Sequence, residues 1–130
     1  MTTMPRRTVD APGAPAALGP YSHANVANGF LFTSGQIGLD PETGELVGPD
    51  IVAQTRRVLD NIRAIVEAGG SRLDSVVRVT VYLVDMADFP AMNEIYGDYF
   101  PEDPPARVCI EAKALPKGAR LEMEAVAVLS

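Results

Sequence analysis

The sequence predicts an α+β domain of two layers, a mostly antiparallel sheet with two helices on one of its faces. Three observations lead there. Segments in which apolar and polar residues alternate with a period of two recur along the chain, the mark of strands with distinct faces. Only two stretches, opening near Asp50 and Asp88, carry an apolar stripe at helical spacing. The resulting order, β-β-β-α-β-α-β-β, supplies too few helices to cover both sides of a sheet.

Arg7–Asp10 reads as a short edge strand. The stretch Ala11-Pro12-Gly13-Ala14-Pro15-Ala16-Ala17-Leu18-Gly19-Pro20 is too rich in Pro and Gly for regular structure. It is a connection that delivers Tyr21 to a defined place; alone, Tyr21 also reads as a half-buried ring with its hydroxyl at the surface. Ser22–Asn28 and Phe30–Gln36 are two strands around Asn28-Gly29, a turn of the hairpin type. In the second, Phe30, Phe32 and Ser34 alternate with Leu31, Thr33 and Gly35, and a glycine in a strand marks the close approach of a backbone or ligand. His23, the only histidine, reads as an ordinary polar contact. Asp40-Pro41-Glu42-Thr43-Gly44 is a surface loop whose acids lack EF-hand spacing.

Asp50 is the N-cap of the first long helix. Ile51, Thr55, Val58, Leu59, Ile62, Ile65 and Val66 form its stripe, and Gly69-Gly70 closes it. Val76–Val84 follows as a strand with Val77, Val79, Val81 and Leu83 on one face and Arg78, Thr80 and Tyr82 on the other. Asp88 begins the second helix, Pro90 is tolerated in its first turn, and Phe89, Met92, Tyr96, Tyr99 and Phe100 make its stripe. Asn93 lies beside that stripe, either hydrogen-bonded or facing a pocket. Glu102-Asp103-Pro104-Pro105 is a rigid connector.

Ala106–Pro116 and Arg120–Val128 are the last alternating segments, and Leu115-Pro116-Lys117-Gly118 between them has turn chemistry, so the pair reads as a hairpin. Arg107, Cys109 and Glu111 share one face of the first strand; Glu122 and Glu124 share one face of the second. If the polar faces coincide, a guanidinium, a thiol and carboxylates meet on a patch that the helices leave open. The same pattern also describes a solvated sheet face with one structural cysteine, and the spacing alone leaves both readings standing.

The chain of 130 residues fits one domain spanning 1–130. No apolar run approaches the ~20 residues needed to cross a membrane. Met1–Arg7 is basic but lacks the apolar region of a signal peptide. With one cysteine no intrachain disulfide forms, and a cytoplasmic location follows most simply. One His and one Cys make no standard structural zinc site, and no metal is expected. The formal net charge of −6 argues against a nucleic-acid surface, which requires clustered Lys and Arg.

The segment Arg107-Val108-Cys109, the following Leu115-Pro116 turn and the final Glu-bearing strand resemble the reactive intermediate deaminase family (RidA, or YjgF). The resemblance extends to Gly19-Pro20-Tyr21-Ser22, Thr33-Ser34-Gly35-Gln36-Ile37 and Asn93, and covers nearly the whole chain in order. It implies a chorismate-mutase-like fold and a homotrimer with sites between subunits. It also implies hydrolysis of 2-imino acids or their enamine tautomers, released by pyridoxal-phosphate enzymes, to 2-keto acids and ammonia, with no cofactor.

On that resemblance Arg107 holds the substrate carboxylate, Glu122 positions water and moves its proton, Tyr21 packs on the substrate, the backbone at Cys109 meets the reacting end, and Ser34 and Asn93 line the site. Glu124 shares a face with Glu122, and spacing does not separate the two. Two alternatives stand beside this function. One is a regulatory module that binds a small carboxylate through Arg107 without turnover. The other is the ribonuclease, or translation-inhibitor, activity also attached to the family, against which the acidic balance and lone histidine argue.

Overall fold

The computed structural model describes residues 5–130; Met1–Met4, on which the reading against a signal peptide partly rests, lie outside them. The elements follow in the expected order: β1 (Arg7–Val9), β2 (Ala24–Ala27), β3 (Phe30–Thr33), α1 (Ile51–Ala68), β4 (Val76–Leu83), α2 (Phe89–Tyr99), β5 (Ala106–Glu111) and β6 (Leu121–Val128). They form a six-stranded sheet in the order β1-β2-β3-β6-β4-β5. All pairings are antiparallel except β4 with β5.

That order overturns the hairpin expected of the last two strands. β6 lies between β3 and β4, whereas β5 lies on the far edge, parallel to β4. The reason is the crossover: α2 returns the chain to the end at which β4 began, so β5 runs in the same direction as β4. Pro116–Gly118 is a short 3-10 turn entered from an extended Leu115, within a connection that carries the chain back across β4.

Both helices cover the face that presents Leu31, Val79, Val81, Leu83, Leu121, Met123, Ala125 and Ala127, all buried. Every residue of the expected α1 stripe is buried there. Asp50 caps α1 by accepting from the N–H groups of Val52 and Ala53, a contact worth about 1 kcal/mol. Asp88 precedes α2 but does not cap it. Its buried carboxylate instead takes two hydrogen bonds from Arg120, at 2.8 and 3.1 Å. Arg120 also donates to Pro49 O, so one guanidinium ties the entrances of both helices to the start of β6.

Two irregularities interrupt the alternation. A register shift at the start of β4 turns Val77 outward, 43% exposed, so it does not join Val79 and Val81 in the core. At the end of β3, Phe32 faces Val126, but Gln36 bridges to Met123 where unbroken pairing would bring it to Glu122. The Thr33 hydroxyl accepts the Ala125 N–H across this bulge, which is why β3 ends earlier than its sequence pattern suggests.

The sheet's other face carries no helix. Phe30, Phe32, Val108 and Ile110 stand on it, 42%, 47%, 37% and 45% exposed. Among the described residues no helix is long and apolar enough to cross a membrane.

Candidate functional site

The bulge after β3 shapes the first group of polar side chains. Glu122 projects from the open face of β6 into a cavity of about 230 Å³ bordered by Leu18, Tyr21, Ser34, Gly35, Ile37 and Pro116. A Cβ at Gly35 would collide with Glu122 Oε2, so a side chain there would push this carboxylate out of its present place. Burial raises the Glu122 carboxyl above the ordinary glutamate range, and the nearby charge of Glu124 adds to the effect. Tyr21 accepts the Leu18 N–H at its own hydroxyl, 3.0 Å away, while its ring stays 44% exposed beside Glu122. The Ser34 hydroxyl is committed to Ser22 O at 2.5 Å, so Ser34 shapes the wall.

His23 explains how the Pro/Gly-rich connection holds its place. Buried, it accepts the Ala11 N–H at Nδ1 and contacts Pro15 O through Nε2 at 2.8 Å. These bonds fasten the segment that carries Leu18 and Tyr21 against the root of β2.

The second group lies on the other side of the sheet. Arg107 is level with Val79 and Cys109 with Val81 in the parallel β4–β5 pairing, so both point toward the helices. The Arg107 guanidinium lies 4.7 Å from the centre of the Tyr96 ring and 5.4 Å from that of Phe89. It donates to Asn93 Oδ1 at 2.8 Å. Two stacked rings and one acceptor fix its plane while donors remain for a ligand. Asn93, Tyr96, Gly97, Phe100, Pro104, Pro105 and Arg107 border a cavity of about 400 Å³. The Tyr96 hydroxyl is pushed up to about 12 by burial, with the Arg107 charge opposing; it therefore stays neutral beneath the cation. Burial also raises the Cys109 thiol, again against Arg107. A thiol kept protonated is a poor nucleophile.

Residues 11–129 match the profile of the family described as Endoribonuclease L-PSP. The chain belongs to this family, which is also called YjgF/RidA. A RutC family protein of Pyrococcus horikoshii is 56% identical over 88% of this chain and 90% of its own. A 2-iminobutanoate/2-iminopropanoate deaminase of Capra hircus is 43% identical over 98% of this chain and 93% of its own. The crystal structure of a putative endoribonuclease of Thermotoga maritima superposes with a TM-score of 0.92 at 48% identity, covering 95% of this chain and 98% of that one.

Within this YjgF/RidA chain, the six residues singled out from the sequence separate into two sets. Tyr21, Ser34 and Glu122 gather on the open face; Asn93, Arg107 and Cys109 gather at the β5 edge on the helix side. The expected single patch uniting Arg107, Cys109 and Glu122 on the uncovered face is thus wrong for one chain. It assumed that β5 and β6 were neighbours with matching faces, and both pair with β4 from opposite sides with opposite pleats. Sequence reasoning also missed the aromatic seat of Arg107. Phe89 and Tyr96 were legible only as core residues of α2, because nothing in a helical stripe announces a cation above it. Among the described residues no cluster of three or more His, Cys, Asp or Glu could hold a metal ion.

Proposed function

We propose that the chain hydrolyses reactive 2-imino acids, and their enamine tautomers, to 2-keto acids and ammonia at sites completed between copies of itself in a homotrimer. The single observation that carries this reading is the separation of two complementary half-sites. One offers a preorganised anion clamp, the other a carboxylate poised to exchange a proton, and the sheet stands between them. A second copy that brings its Arg107 edge to the Glu122 cavity supplies what each lacks. The exposed Phe30, Phe32, Val108 and Ile110 give that contact an apolar surface to bury.

In such a seam Arg107 binds the substrate carboxylate through paired charge-assisted hydrogen bonds. Glu122 takes a proton from water as its oxygen bonds to the imine carbon, and returns one to nitrogen. The hydroxyl proton of the resulting carbinolamine then passes through Glu122 to its nitrogen, the C–N bond breaks, and ammonia and the ketone leave. Water is the only co-reactant, so the step needs no cofactor. Elevation of the Glu122 carboxyl serves both proton transfers, since each improves as the group's affinity for a proton nears the working pH. Cys109 contributes through its edge-strand backbone. The setting we infer is the cytoplasm, where pyridoxal-phosphate dehydratases release such imines and a lone thiol stays reduced.

The family's ribonuclease description finds less support in this chain. Its only histidine is buried between Ala11 N and Pro15 O, and its net charge of −6 repels a phosphate backbone. The decisive assay couples a threonine dehydratase to semicarbazide trapping of the released imine. Catalytic amounts of this protein suppress adduct formation if the reading is right; an unchanged adduct yield refutes it.

A further inference from the structure

The open face beside Glu122 holds two groups that the proposed hydrolysis leaves without a part. Tyr82 stands directly opposite Glu122 in the β4–β6 register. Its side chain leans one pleat along the sheet, and its hydroxyl donates to Glu124 Oε1 at 2.8 Å. Glu124, opposite Thr80, is the next residue of β6 on this face. Tyr82 thus flanks the stem of Glu122 and fastens the carboxylate beyond it, while Gly35 bounds Glu122 on the other side.

We propose that Tyr82 and Glu124 are a positioning pair for Glu122: the Tyr82 hydroxyl fixes the Glu124 carboxylate one pleat away, so that Glu122 faces a stationary negative neighbour while it takes and returns a proton. The purpose of the pair rests on the proposed hydrolysis; its geometry does not.

Carboxylates on one strand face sit roughly 7 Å apart at their Cβ atoms, close enough for one charge to favour a proton on the other. A free glutamate at that position would swing into water and be screened. Held by Tyr82, it acts from one place. Burial and Glu124 together raise Glu122, in that order, and the hydrogen bond to Glu124 is the first cause of the elevation of Tyr82, which keeps the phenol a donor. Within one chain few other charges intrude; in the proposed seam a second copy's Arg107 comes to the cavity and opposes Glu124. β4 adds Arg78 on this face, across from Val126, without an ion pair to either glutamate among the described residues. β3 presents Phe30 and Phe32, β5 presents Val108 and Ile110, and the Tyr21 phenol borders the cavity. Among the described residues of one chain nothing cationic separates the two carboxylates.

The arrangement sorts two chemically identical side chains into different duties. Glu122 reaches the cavity and does the chemistry. Glu124 has its oxygen occupied by a phenol and sets the field.

The test uses the full chain as Glu124→Gln, Tyr82→Phe and the double variant, with Tyr82→Leu as a bulk control and circular dichroism to check folding. Two quantities are read: the titration of Glu122 by carboxyl carbon NMR, assigned through Glu122→Gln, and the acid limb of the pH profile of kcat/KM. Glu124→Gln is expected to move both to lower pH. At the foot of the acid limb it should keep a roughly two- to five-fold larger share of its plateau kcat/KM than the parent protein. Tyr82→Phe moves both the same way by less, because its glutamate is freed and not removed. In the Glu124→Gln background Tyr82→Phe adds nothing. A Glu122 titration that Glu124→Gln leaves in place overturns the pair, even in a protein that hydrolyses no imine. A titration that moves while the acid limb stays fixed overturns its part in the reaction. An undiminished Tyr82→Phe effect in the double variant shows that the phenol does not act through Glu124, and overturns it equally.

Discussion

On one side of the sheet Arg107 lies against Tyr96 and Phe89 with Asn93 at its edge. On the other, Glu122 sits over Gly35 with Glu124 beside it. The first arrangement immobilises a charge; the second makes a charge unwelcome. A guanidinium serves as a clamp when its plane is set before the ligand arrives, because ordering it later would subtract from binding. A carboxylate serves better as a proton carrier as its two protonation states come closer in free energy, and burial with a like-charged neighbour moves Glu122 in that direction. The sheet keeps the two apart, so the aromatic cation seat and the acidic patch do not neutralise each other within one chain.

Substitutions can break either half separately, and Arg107→Ala should do the most damage. Losing one partner of a desolvated ion pair costs roughly 3–5 kcal/mol, which is ~10² to 10³-fold or more in kcat/KM. Lysine should restore little, since it lacks the planar fork. A correctly folded Arg107→Ala protein with near-normal turnover would remove the clamp from the account. Glu122→Gln comes next, with kcat down about 10²-fold and the affinity for an unreactive 2-keto acid nearly kept, measured by calorimetry. Equal losses in both would mean that Glu122 holds substrate and does not move protons.

Asn93→Ala probes the edge of the clamp. Removing this single acceptor should raise KM about 3- to 10-fold with kcat little changed; a fall in kcat alone would contradict the assignment.

The smallest effect concerns stability. A carboxyl raised in the folded state favours folding at low pH and loses that contribution as pH rises through its folded value. At neutral pH the ionised Glu122 is therefore a slight burden. Partial exposure keeps the effect small, and in the unassembled chain Glu122→Gln should raise Tm slightly at neutral pH. The gain should vanish as pH falls below the ordinary glutamate range. A gain that persists in acid would point to packing instead.

Alternation and helix stripes located every strand and both helices, because side-chain burial imposes its period on the sequence directly. Pairing is written less openly. Period two is silent about which strand lies next door, and Leu115-Pro116-Lys117-Gly118 looked like a hairpin turn because its local chemistry is that of a turn. A counter-signal was present: Val76–Val84, a helix, then Ala106–Glu111 is a strand-helix-strand unit, whose strands pair in parallel. Applying that rule would have placed β5 beside β4 and away from β6; the helix-side position of Arg107 follows only from the register, which pairs it with Val79. The candidate site residues were named through the family resemblance alone, and Gly35 was legible through the rule that a strand glycine admits a neighbour. The Asp88–Arg120 tie and the Arg107 seat join residues far apart in sequence, and no local pattern reports them.

The central claim is that Arg107 of one copy and Glu122 of another make one site, and mixing the two disabled chains tests it most directly. Arg107→Ala and Glu122→Gln proteins, each nearly inactive, would be co-expressed with different tags and the mixed assemblies isolated and counted by native mass spectrometry. Every mixed trimer, of either 2:1 composition, leaves one seam in three with both groups intact, so the isolated mixed assemblies should recover about a third of the unmutated activity. Mixed assemblies no more active than their parents, or a fully active monomer at assay concentration, would contradict the shared site.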